Sequence, residues 1–218
     1  MAGASGRPPS EHTPRSPWSQ DPFGDDDIAL RGVLVHEYFR EVRSVEDIAG
    51  DPRETAHDGA RMRAAMRRAS VEKSTPIDAE VAREVSEMLS RLVTGVGREG
   101  SVAEALRVGP EDEVRTEVPF VLAVSGATNS SRAALVHGRI DRLVLTRDAG
   151  GRIVRASIVD FKTGAARASK ASFDAKVDSY RGQLEAYREA VAELWGLPLG
   201  SVGSTLLFVD RDEVVTLA

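Results

Sequence analysis

Cysteine is missing from all 218 residues, which excludes disulfides, thiolate zinc sites and cysteine-held iron–sulfur clusters together. Any metal in this chain must be held by oxygen and imidazole. No apolar run approaches the roughly 20 residues that a membrane span requires, and the N-terminus lacks the apolar core of a secretory signal. A cytoplasmic location without membrane contact is the expectation. A Gly-x-x-x-x-Gly-Lys-Ser/Thr phosphate loop is also missing, so no ATP site is expected. Lysine is scarce: Lys73, Lys162, Lys170 and Lys176 are the only ones among 29 basic residues. With 41% hydrophobic and 29% charged residues, the chain has enough apolar material for one sizeable domain or two small ones. A net charge of -5 argues against a broadly basic nucleic-acid coat but leaves room for a local basic groove.

Residues 1–27, rich in Pro, Ser, Gly and charge, contain little that could pack a core and are expected to be disordered. The folded domain is expected over 28–218. "DIALRGVLVHEYFREV" carries Leu30, Val33, Leu34 and Phe39 at helical spacing, with Asp27 as a candidate cap. Further helices are expected over about 54–70 and 77–94, the second with a stripe of Val81, Val85, Met88, Leu89 and Leu92, and a short one near 101–107. The period then changes. "EVRTEVPFVLAV", "AALVHGRIDRLVLT" and "RIVRASIVDFK" are β-branched and apolar, separated by the turn-forming clusters "SGATNSS" and "RDAGG". "VDSYRGQLEAYREAVAELWG" predicts one amphipathic helix, with Tyr180, Leu184, Tyr187, Ala190, Val191 and Leu194 at intervals of three and four, closed by Gly196 and Pro198, then a strand "STLLFVD" and an edge "EVVTL". The fold class is therefore α/β: a mixed central sheet of three antiparallel-connected strands, a helix and a further strand, flanked by helices.

The stretch "VDFKTG" places Asp160 and Lys162 two apart at the end of an apolar strand, so both side chains project to one face while Phe161 points into packing. The bland alternative is a simple ion pair. The preceding strand changes the balance, because "GRIDRL" sets Asp141 between Ile140 and Leu143, where a carboxylate is costly unless it is hydrogen-bonded or holds a cation. Two strand carboxylates on adjacent hairpin arms, with a lysine beside them, suit a hard divalent cation.

In this order of motifs the sequence resembles the PD-(D/E)XK nuclease superfamily, and within it the C-terminal nuclease domain of the RecB and AddA helicase-nucleases. "GVLVHEYF" is similar to the family's glycine-x-x-x-histidine helix, "EVPF" to its early glutamate strand, "GRIDRL" and "VDFKTG" to its two metal aspartates with the lysine, and "YRGQLEAY" to its glutamine–tyrosine helix. The resemblance implies a restriction-endonuclease-like fold. It also implies that His36, Asp141, Asp160 and the carbonyl of Phe161 hold Mg²⁺ or Mn²⁺, an imidazole suiting Mn²⁺ better. Lys162 would orient or deprotonate the attacking water and stabilise charge on the phosphate, helped by a lowered pKa. Gln183 and Tyr187, four apart on one helix face, would support the site, although Tyr187 also fits the core stripe. Glu117 is a possible supporting residue. Arg139, Arg142, Arg167 and Lys170 are possible contacts to DNA phosphates.

The resemblance therefore implies a metal-dependent deoxyribonuclease for DNA end processing in recombinational repair, acting on single strands or ends. Lacking a motor in these residues, it would be free-standing, a partner of a separate helicase subunit, or a remnant of a longer gene. The alternatives are a non-catalytic DNA-binding or assembly module of a repair complex, and a structural domain with a fortuitous Asp-x-Lys.

Overall fold

The computed structural model describes residues 26–124 and 134–217. The expected disordered tail falls almost wholly on residues 1–25, and the turn cluster "SGATNSS" on residues 125–131; both lie outside the described residues. Five helices come first: α1 (Asp26–Phe39), α2 (Glu46–Ala49), α3 (Ala60–Lys73), α4 (Ala79–Val93) and α5 (Val102–Ala105). Helix α1 begins at Asp26, so Asp27 lies in its first turn and is not the cap. Helix α3 starts later than its pattern suggests, because Asp51 accepts a hydrogen bond from Arg53 N and closes a separate 3-10 turn over Pro52–Glu54. Helix α4 follows expectation: Asp78 accepts from Val81 N at 2.8 Å, satisfying an orphan amide of the first turn, and Val81, Val85, Met88, Leu89 and Leu92 are buried.

The strands are β1 (Asp112–Val124), β2 (Ala134–Arg147), β3 (Ile153–Lys162), β4 (Val202–Phe208) and β5 (Glu213–Leu217), side by side in chain order. All neighbours are antiparallel except β3 and β4, which are parallel and joined through α6 (Lys170–Ser179) and α7 (Arg181–Trp195). The single helix expected over 177–196 is thus two. Ser179 Oγ donates to Lys176 O at 2.6 Å, one of the side-chain bonds that compete with helical pairing, and Tyr180 then caps α6 and opens α7. Each face of the sheet carries its own core. Helices α1 to α5 pack with Val159, Phe161, Leu207 and Val209, while α6 and α7 pack with Ile140, Ile158, Leu206 and Phe208. Residues one apart on β3 and β4 therefore serve opposite cores, as strand alternation requires. Among the described residues no helix is long and apolar enough to cross a membrane.

Arg142 joins the first core to the sheet. It is 1% exposed, and its guanidinium donates to Val42 O at 2.9 Å, Arg43 O at 2.8 Å and Leu106 O at 3.1 Å. Burial lowers its pKa to about 10. The expectation that Arg142 contacts DNA is corrected by this burial: its two terminal nitrogens donate to the turn after α1 and the end of α5. Arg142→Ala leaves three carbonyls without this donor and should destabilise the fold by about 3 kcal/mol. Arg142→Lys should recover only part of this, because an ammonium cannot span the same fork; urea denaturation of the three proteins measures both.

Candidate active site

The sheet pairing is interrupted on both sides of Asp141. Between β1 and β2 the register passes from Thr116↔Arg142 to Val118↔Ile140 without a pair between Glu117 and Asp141, and Glu117 stands in the left-handed region at φ 55°, costly for a non-glycine residue. Between β2 and β3 the ladder ends at Arg142↔Val159, one step short of setting Asp141 opposite Asp160. The Asp141 side chain instead accepts from Phe161 N at 3.0 Å. Side-chain alternation breaks at the same place. Ile140 and Leu143 both enter the core under α7, whereas Arg142 reaches the helices of the other face. The local irregularity frees Asp141 to act at the sheet's end.

Helix α1 supplies the imidazole. Its Phe39 stacks on Phe161 with ring centroids 4.3 Å apart, and His36, one turn earlier on the same helix face, places Nδ1 3.2 Å from Asp141 Oδ1. Gly32 permits this approach: a Cβ there would stand 3.2 Å from Thr163 Oγ1. On the other face, Asp160 is 2% exposed and Lys162 Nζ stands 2.5 Å from its Oδ2. That contact is an ion pair, and among the described residues no well-aligned hydrogen bond reaches Asp160 Oδ2. Gln183 Nε2 lies 3.5 Å from Asp160 Oδ1 and donates to the Tyr187 hydroxyl at 2.8 Å. Tyr187 meets both of its expected descriptions, since its ring packs edge-on against Phe120 in the core while its hydroxyl reaches the site's support.

The electrostatics follow from crowding charges in a buried place. Burial pulls the His36 pKa down, but the charge and hydrogen bond of Asp141 outweigh it and hold it above the usual value. Burial pushes Asp141 up, yet His36, Lys162 and the Phe161 amide hold it below the usual carboxylate range. Asp160 is raised, chiefly by burial and further by Asp141, with Lys162 opposing. For Lys162, burial acts downward, but Asp160, Asp141 and Tyr180 together carry it above the ordinary amine value. In the chain without a cation, the lowering of Lys162 expected from desolvation is outweighed by its two carboxylate neighbours, which hold the nitrogen as an ammonium. The Tyr187 hydroxyl is pushed up to about 12 by burial and Asp160.

The remaining expected residues divide. Glu117 comes to the edge of the site, opposite Asp141, with Oε2 2.8 Å from Arg139 Nε, and burial raises its pKa. Arg139 is about half exposed and engaged with that carboxylate. Lys170 is exposed and pairs with Asp174 at 2.9 Å. Arg167 lines a groove of about 760 Å³ with Arg31, Arg91, Thr163 and Gly164, which begins directly after Lys162 in the chain. Two residues have roles that their local pattern hides. Tyr180, part of the apolar stripe by spacing, sets its ring 4.3 Å from Lys162 Nζ. Gly138 leaves room for the aromatic pair: a Cβ there would stand 2.7 Å from Phe120 and 3.1 Å from Tyr187. Its place three residues before Asp141 is the only signal the sequence offers.

Among the described residues no three His, Asp or Glu side chains stand ready as a metal-binding group. The donors nonetheless fit a hard divalent cation by kind: two carboxylates, an imidazole, and a buried Asp160 oxygen that lacks a hydrogen bond.

A mixed five-stranded sheet between two helical layers, with paired carboxylates and a lysine at the end of its central strands, defines the restriction-endonuclease-like class of α/β proteins. The family model of the PD-(D/E)XK nuclease superfamily matches residues 15–216, and the chain belongs to that superfamily. It is 30% identical over 145 residues to an ATP-dependent helicase/nuclease subunit from Limosilactobacillus fermentum, a match covering 62% of this chain and 10% of that protein. The protein of the same name from Limosilactobacillus reuteri is 32% identical over 149 residues, covering 60% of this chain and 10% of that one. The matched region thus spans about a tenth of the length of these relatives.

Two outcomes follow from this geometry. In metal-free protein, NMR titration of the four histidines should find His36 above about 6.5. Asp141→Asn should lower it, since burial and Lys162 are then opposed only by Asp160. Gly138→Ala should cost about 1–3 kcal/mol by forcing Phe120 and Tyr187 apart, read by urea denaturation, and should lower any activity that depends on Gln183.

Proposed function

We propose that the chain is a divalent-metal-dependent deoxyribonuclease that hydrolyses phosphodiester bonds at DNA ends or in single strands. The observation that carries this reading is the convergence of the His36–Asp141 pair and the Asp160–Lys162 pair at one end of β2 and β3. His36, Asp141, Asp160 and the carbonyl of Phe161 would hold Mg²⁺ or Mn²⁺. When bound, the cation would polarise the scissile phosphate and acidify water. Lys162, an ammonium beside those carboxylates, offers positive charge and N–H donors to the phosphate oxygens, where negative charge grows in the transition state. Gln183 keeps Asp160 oriented, and Tyr187 keeps Gln183 in place. Arg91 and Arg167 line the groove beside Lys162, with Arg31, which pairs with Glu84, and the acidic Glu87 and Asp210; the first two suit a sugar–phosphate backbone, which they would bind without reading its sequence.

The relatives are named as helicase/nuclease subunits. In the proposed role, strands reach the site from a helicase partner during recombinational repair. The rival reading, a DNA-binding module without chemistry, is disfavoured by the presence of both aspartates and the lysine at one place.

Labelled single- and double-stranded DNA incubated with the chain and Mg²⁺ or Mn²⁺ tests the enzyme directly. Cutting should stop with a chelator, and Lys162→Ala should slow it by about 10²–10³-fold. Binding without cutting would favour the module, and undiminished cutting by Lys162→Ala would sink the proposed chemistry. Independently of activity, saturating Mg²⁺ should raise the melting temperature. The stabilisation should approach about 2.7 kcal/mol at a hundredfold excess over Kd, and Asp160→Asn should abolish it.

A further inference from the structure

Lys162 has two neighbours of different kinds. On one side is Asp160 Oδ2 at 2.5 Å; on the other is the face of the Tyr180 ring, 4.3 Å from Nζ to the centroid. The first contact conflicts with the proposed role of Asp160, because a carboxylate oxygen that engages a divalent cation is no longer available to hold an ammonium. A lysine released from its carboxylate regains four rotatable bonds and scatters its charge. An aromatic face holds a cation by its quadrupole without neutralising it and without taking its protons. It therefore leaves N–H donors that point away from the ring for a phosphate or a water.

The chain goes out of its way to put a ring there. Tyr180 sits at the break between α6 and α7, at φ -91° and ψ -9°, where its amide bonds to Val177 O and its carbonyl accepts from Leu184 N. In one uninterrupted helix it would continue the stripe of Leu184, Tyr187 and Val191, all buried in the core. At the break it still packs against that core but is only partly buried, and its ring face meets the lysine.

We propose that the Tyr180 ring is the seat that retains the Lys162 ammonium at the site once a cation engages Asp160, making Tyr180 a positioning residue for cleavage. The inference rests on the nuclease reading for its catalytic half, while the contact itself does not. With only four lysines in the chain, the side-chain methylene signals can be assigned by substitution and followed by NMR. A ring over Nζ moves the Lys162 ε-protons upfield. That displacement is expected in the wild type and in Tyr180→Phe, is expected to vanish in Tyr180→Leu, and is expected to persist in the wild type at saturating Mg²⁺. In the cleavage assay Tyr180→Leu should lower kcat by about tenfold or more with KM little changed, and Tyr180→Phe should stay near wild type.

An ordinary Lys162 shift in the wild type, its loss on adding Mg²⁺, or a wild-type kcat in Tyr180→Leu would each overturn the proposal. The Mg²⁺ titration needs no substituted protein at Tyr180, so a variant that fails to fold leaves the question decidable. If the wild-type chain cuts nothing, the nuclease reading fails, and the lysine signal under Mg²⁺ still decides whether the ring is the seat.

Discussion

Keeping carboxylate charge inside the sheet is the constraint around which this molecule is organised. Asp160 lies on the central strand at 2% exposure, with Asp141 at 9% on the next strand. An isolated buried carboxylate costs far more than the net stability of a domain unless charge or hydrogen bonds compensate it. Compensation arrives from both faces: His36 from α1 reaches Asp141, and Lys162, two residues along the same strand, reaches Asp160. The match is incomplete, since Asp160 Oδ2 keeps no hydrogen bond.

The two cores give that site its rigidity. Phe161, between Asp160 and Lys162, points to the opposite face and stacks on Phe39, so the same strand that exposes the charged pair to α7 anchors itself to α1. The stacking also sets the height of His36, one turn away on the helix. On the other face Gln183 and Tyr187 come from α7, whose buried residues Leu184, Ala190 and Val191 fix its seating. Arg142 then locks the loop after α1 and the end of α5 to β2. Movement in either core would therefore alter the separation of the charged groups.

Much of this was legible in the chain. Alternation along "VDFKTG" put Asp160 and Lys162 on one face and Phe161 on the other, and the structure agrees because β3 is regular to its end. The sheet's hairpin order and the position of α4 were equally plain, being set by local spacing and capping. The parts that misled depend on neighbours far away in sequence. Arg142 reads as a surface arginine because nothing nearby announces three carbonyls waiting 36 or more residues away. Tyr180 reads as core because the helix period runs through it, and it does pack against that core; what the period hides is that its ring face also meets Lys162. The left-handed turn at Glu117 has no local cause such as glycine or asparagine.

The amino-acid sequence by itself determined the inventory and its spacing: which residues carry chemistry, which share a strand or helix face, and that metal here could meet only oxygen and nitrogen. Tertiary structure alone decided which charges meet, and so that two carboxylates hold Lys162 above the ordinary amine value, that Arg142 is structural, and that a tyrosine ring faces the lysine. The reason is physical. Periodicity is written in backbone geometry over a few residues, while the desolvation and charge that govern a site's chemistry depend on what the folded chain brings alongside.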